Sequence, residues 1–200
     1  MTAYDETLLY QRVSALPPLG QAAFAAACSQ RLGSMCTVLG EAWGLPVPDA
    51  FDTTQRAVWA MCAGERGTSD TDELDAAVSA DVPHDDDEDW DRFSGYLQSA
   101  GIALIHAILA ARSPDPRRDV FAARQLGEVA DFTASDLRDA GDDAAADAVL
   151  QAVHDGLDEE LASLEAGDGS AATIEHVRRH ADLEGRRLGA LLTASLPAED

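Results

Sequence analysis

The chain has 200 residues, the length of one domain or of two small ones. All 14 basic residues are Arg, set against 25 Asp and 12 Glu, so the formal net charge is −23. There is no basic stripe for free nucleic acid and no cationic face for a membrane surface, and a 46% share of hydrophobic residues at periodic spacing argues against a disordered chain.

No window alternates apolar with polar residues, and β-branched residues are few. The spacing predicts an all-α fold: a compact bundle of about seven helical segments around a central apolar helix, closed by a C-terminal hairpin. The first segment runs from Asp5 to Ala15 and stops at Leu16-Pro17-Pro18, because two prolines in a row end a helix. The second runs from Leu19 to Leu39. Phe24, Cys28, Leu32, Met35 and Leu39 share one face of it, and Gly40 and Gly44-Leu45-Pro46 end it. The third begins near Asp52, with Gln55 three residues on as the partner in a capping box, and carries Val58, Trp59 and Cys62. A short fourth spans Ser69 to Ala80 behind acids that suit a helix N-terminus. The fifth, from Asp87 to Arg112, is the central one. Its stripe is Trp90, Phe93, Leu97, Gly101, Leu104 and Ile108, and beyond Gly101 it is apolar almost all round. Ser113-Pro114-Asp115-Pro116 separates it from the sixth, which ends at Gly141. The hairpin follows: Leu150, Val153, Leu157, Leu161 and Leu164 on one arm, Ile174, Val177, Ala181, Leu188 and Leu191 on the other, with a break at Gly167-Asp168-Gly169.

No linker divides residues 1–200, so one domain is expected. Cys28, Cys36 and Cys62 fall inside predicted helices. Cys28 and Cys36 lie about 12 Å apart along one helix at ~1.5 Å per residue, beyond the roughly 7 Å reach of a disulfide. They read as small buried hydrophobes in a reducing compartment. The acidic start, Met1-Thr2-Ala3-Tyr4-Asp5-Glu6, has no apolar signal core, so the cytoplasm is the expected location.

Several short motifs resemble a bacterial helical family, domain of unknown function 416 (YjaG-like). Leu16-Pro17, Gln21, Phe24, Ala27-Cys28 and Arg31-Leu32 are similar to its opening helix. Trp43-Gly44, Phe51 and Val58-Trp59 match its next one. Val82-Pro83 with Asp85-Asp86 resembles the loop before its central helix, and His180-Ala181-Asp182-Leu183-Glu184 a late acidic helix. Residues 142–169 depart from that pattern and read as an acidic insertion. The resemblance implies an all-helical fold and brings no activity or catalytic residues with it.

The candidate chemistry is sparse. His176 and His180 stand at i, i+4, the spacing that puts two imidazoles on one helix face for a metal. With Val177 taken as the core direction, His176, His180 and Glu184 fall at about −100°, −60° and −20°. The alternative is a boundary patch in which His180 pairs with Glu184 and Arg187 lies alongside. His106, amid Ile105 and Ile108, reads as a neutral, hydrogen-bonded core residue. The run Asp85, Asp86, Asp87, Glu88, Asp89 lacks the spacing of a calcium loop. It caps the fifth helix, or it docks the Arg and Lys of a partner. There is no phosphate-binding loop, nucleophile elbow or paired Cys-x-x-Cys, and the absence of Lys excludes Schiff-base chemistry. No cofactor is expected.

Three functions remain open. The first is a non-enzymatic binding protein for a basic protein partner, for example an immunity or antitoxin protein covering the cationic cleft of a toxin nuclease. Its contact acids would be Asp85 to Asp89 with Asp142, Asp143 and Asp147. The second is a housekeeping helical homodimer whose charge follows genome or salt. The third is a metal-dependent enzyme using His176 and His180.

Overall fold

The computed structural model describes residues 5–65, 70–84, 86, 90–167 and 169–196. Among them are eight helices and no strand: α1 (Glu6–Ala15), α2 (Pro18–Trp43), α3 (Asp49–Cys62), α4 (Thr71–Asp81), α5 (Arg92–Arg112), α6 (Pro116–Asp139), α7 (Asp143–Ala166) and α8 (Ala171–Ser195). The count exceeds the expected seven because the two arms of the hairpin are separate helices, α7 and α8. Their own caps are Asp142, which accepts from Ala145 N–H, and Ser170, which accepts from Thr173 N–H.

The middle of the bundle is α2. Its run Ala22, Ala23, Ala25, Ala26 and Ala27 is sealed from solvent, and side chains this small let neighbours approach from several directions. Around it stand α5, α6, α7 and α8, each packed on the next and all on α2, with α3 and α4 against α5 and α1 against α6. One hydrophobic cluster draws on all eight helices. Residues 142–169 supply α7 and its caps, and α7 buries Val149, Val153, Leu157 and Leu161 as a wall of the bundle.

Two glycines set the tightest seam, where α8 crosses α2. A Cβ on Gly185 would strike the Arg31 carbonyl oxygen, and one on Gly189 would strike that of Met35. Gly40, expected to stop α2, lies within it. There its missing Cβ admits the Leu45 carbonyl and the Phe93 ring, and the true stop is Gly44 at φ 72°. Two other starts also move. Helix α3 begins at Asp49 behind Pro48, and Asp52 lies in its first turn. Helix α5 begins at Arg92, capped by Asp91.

By length and composition α5 is apolar enough to cross a membrane, yet more than half of that stretch is buried in the bundle, as for a core helix. Cys28, Cys36 and Cys62 are buried and unpaired. Burial raises all three thiols, Cys36 and Cys62 to about 12, so thiolate chemistry is suppressed.

Candidate functional site

Helices α5 and α6 run antiparallel, and side-chain pairs along their seam record the register. Arg92 Nε lies 3.0 Å from Asp136 Oδ2, and the Tyr96 hydroxyl lies 3.1 Å from the Thr133 hydroxyl. At the far end the His106 ring stacks on Phe121 at 5.3 Å. The start of α5 therefore meets the end of α6, and a groove of about 400 Å³ opens there between Trp90, Gly95, Tyr96, Glu128 and Phe132. Trp90 is 37% exposed and Phe132 50%. Phe132 meets Tyr96 edge-on at 6.3 Å.

Asp91 and Glu128 line this groove beside Arg92, and further acids follow along α6 and into α7. Asp91 spends one oxygen on the Ser94 N–H, 2.7 Å away, and Asp142 caps α7 in the same way. Asp147 pairs with Arg138 at 3.1 Å. Asp131, Asp139 and Asp143 are exposed and have no cationic partner among the described residues. Asp86, also exposed, lies four residues before Trp90. Of the two acidic segments singled out in the sequence, Asp142, Asp143 and Asp147 stand at the start of α7, directly after α6. Asp85, Asp87, Glu88 and Asp89 lie outside the described residues.

The histidine pair resolves differently. His176 is exposed. His180 faces α7 instead of its own helix: its Nε2 is 3.2 Å from Glu159 Oε2 and its Nδ1 is 3.5 Å from Glu160 Oε1. Glu184, the expected partner, instead approaches Arg187 at 3.7 Å. The local i, i+4 contact is displaced because α7 brings two carboxylates to the same ring. Glu160 is 1% exposed and Arg31 3%, and Arg31 Nε meets Glu160 Oε1 at 3.2 Å. The same guanidinium donates to the Val153 carbonyl at 3.3 Å. It fits because Gly156 has no side chain; a Cβ there would overlap Nη2 of Arg31. Contact with Glu160 raises His180 above its ordinary value, and Glu159 adds to this, against burial and the charge of Arg31. Arg31, Glu160, His180 and Glu159 so join α2, α7 and α8. Among the described residues no group of three or more His, Cys, Asp or Glu is placed to hold a metal ion.

The sequence reasoning passed over Asp119. It is 0% exposed, and neither carboxyl oxygen has a hydrogen-bond partner among the described residues. Burial, reinforced by Asp115 and opposed by Arg118, pushes it up to about 8, so it is protonated at neutral pH. In sequence it looks like a favourable first-turn acid of α6. The missed signal is periodic: position 119 leads the buried line Ala122, Ala123, Leu126, Ala130, Thr133 and Leu137. His106 is half-buried and lowered by that burial, which keeps it neutral. Its Nδ1 lacks the expected hydrogen bond, and its partner is the face of Phe121.

This architecture defines an all-helical bundle wrapped on one alanine-rich helix. A solved structure of a DUF416 family protein from Shewanella baltica OS155 has the same fold, with a TM-score of 0.68 over 90% of this chain and 94% of that one, at 16% identity. The resemblance read from short apolar motifs is thereby met in three dimensions, as a likeness of fold. No family model and no curated protein matches the chain.

Proposed function

We propose that this protein acts by binding, and that the end of the bundle where α5 meets α6 takes a basic protein partner. One observation carries the reading: the exposed Trp90 and Phe132 flank a groove of about 400 Å³ that Asp91 and Glu128 also line, at the end of α6 that bears Asp131 and Asp139 and leads into Asp142, Asp143 and Asp147. Aromatic side chains at the centre of a patch supply most of the affinity of an interface, and a surrounding charge of one sign steers the opposite charge toward it. A partner with Arg or Lys around an apolar knob fits that description. An immunity or antitoxin protein that covers the cationic cleft of a toxin nuclease is the concrete form of this reading. The buried, unpaired thiols support a reducing compartment such as the cytoplasm.

The test is affinity capture from the native host at low salt and at ~0.5 M salt, where surface charge is screened over only a few Å. It is run with the native chain and with a Trp90→Ala/Phe132→Ala variant. The expected result is one basic protein at stoichiometric ratio, weakened by salt, lost from the variant and inhibited in its own activity by the native chain. A captured protein that the variant holds equally well overturns the assignment of the groove. An empty capture, together with a dimer on sizing that the variant breaks, assigns the same patch to a second copy of the chain.

A further inference from the structure

A second cavity, of about 300 Å³, lies between α2, α3, α5 and α8, away from the aromatic groove. Its wall on α2 is a polar stripe, Ser29, Gln30, Ser34 and Thr37, on a helix that is otherwise the apolar centre of the fold. Ser29, Ser34 and Gln55 line it although each is more than nine-tenths buried. These groups are held in place from behind. The Trp59 indole N–H donates to Gln30 Oε1 at 2.9 Å, Gln30 Nε2 donates to the Ser34 hydroxyl at 3.0 Å, and that hydroxyl donates to Asp182 Oδ1 at 2.7 Å. On the other side Ser29 and Gln55 bond to each other at 2.8 Å, and Gln55 donates to the Ala26 carbonyl.

Gly33 lines the cavity from the middle of α2, and a Cβ there would meet nothing within 4 Å, so the space beside it is open and a larger side chain would enter it.

The charge of the cavity selects its ligand. Asp49, Asp52 and Asp182 line it against the single cation Arg186, which is committed to Asp182 at 3.1 Å. Asp52 is paired with Arg56, while Asp49 has no ion pair among the described residues. Phe51 and Leu104 form an apolar side. The volume accommodates about ten water-sized groups at ~30 Å³ each. We infer that this cavity binds a small primary amine that also carries hydroxyl groups. Its ammonium sits toward Asp49, its hydroxyls toward the Ser29, Ser34 and Gln55 side chains, and its carbon face on Phe51. The inference is independent of the protein-binding surface.

Glucosamine and glucose form a suitable probe pair, since they differ by an ammonium in place of one hydroxyl. The readout is the indole N–H resonance of Trp59, which reaches the cavity through Gln30. Glucosamine is expected to shift it saturably and glucose is not. Gly33→Leu, which fills the cavity, is expected to abolish the shift while the helical circular dichroism is unchanged. Asp49→Asn is expected to weaken the amine roughly tenfold, the loss of one charge-assisted hydrogen bond, and it decides the matter if the glycine variant does not fold. No saturable shift with glucosamine overturns the site. An equal shift in folded Gly33→Leu or in Asp49→Asn overturns it too, by showing that the amine only meets the acidic surface. An equal response to glucose overturns the choice of an amine.

Discussion

Glu160 and Asp119 are both sealed in the bundle, yet their surroundings are opposite. Glu160, on the α7–α8 side, makes no hydrogen bond among the described residues but faces Arg31 at 3.2 Å and His180 at 3.5 Å. Asp119, at the start of α6, faces no partner for either oxygen among the described residues. A buried carboxylate is tolerable when positive groups stand where the water it gave up had been. Without them the cheaper solution is to keep the proton, which is why Asp119 rises to about 8. Burial alone therefore does not say what an acid does in this fold; the neighbouring helix does.

Removing the cation tests the paired side most severely. Arg31→Met leaves Glu160 charged and buried, at an expected cost of about 3–5 kcal/mol in urea unfolding at neutral pH. Adding Glu160→Gln is expected to recover much of that loss. A variant with the wild-type midpoint would show that Arg31 and Glu160 are not coupled.

The unpaired side predicts the reverse sign. Below the ordinary Asp value of 3.8, both native and unfolded chains hold the proton. Between 3.8 and about 8 only the native chain does, so stability falls as pH rises, by at most about 1.4 kcal/mol per pH unit from this group, and levels off beyond. Asp119→Asn keeps the shape without the ionisation. It is expected to stabilise the protein by ~2–4 kcal/mol at pH 7 and to flatten the slope, as read from urea midpoints across pH. Lower stability of this variant at pH 7 would break the contrast with Glu160.

The smallest effect belongs to His180. Its folded value is raised above 6.5, so its contribution is full below that value and fades as pH climbs through the higher one. His180→Gln is expected to cost about 1 kcal/mol at pH 6 and less at pH 9. In an NMR titration of the native protein His180 should titrate above the ordinary imidazole value of 6.5. A midpoint at or below that value would remove His180 from the Glu160 centre.

Much of the architecture was legible because helix boundaries are local. Leu16-Pro17-Pro18, Ser113-Pro114-Asp115-Pro116 and Gly141 act on the few residues beside them, and the structure ends helices there. The buried Cys28, Cys36 and Cys62 and the stripe Phe93, Leu97, Gly101, Leu104 and Ile108 of α5 followed from helical period in the same way, whereas Trp90, expected to head that stripe, lies ahead of the helix and is exposed. Gly40 did not, because its meaning comes from Leu45 and Phe93, which pack where its side chain would be.

The candidate sites divide on the same line. The sequence by itself determined that the protein is helical, that α5 lies inside, that acids cluster before α5 and after α6, and that His176 and His180 share a helix. Each of these depends on residues within a few turns of one another. Only the tertiary structure decided that α2 lies at the middle of the bundle, that Trp90 and Phe132 flank one groove, that His180 answers to Glu159 and Glu160 and not to Glu184, and that Asp119 has no hydrogen-bond partner among the described residues. Those outcomes depend on which helix packs against which, and a side chain's charge and partners are set by the dielectric and the atoms that a distant segment brings to it.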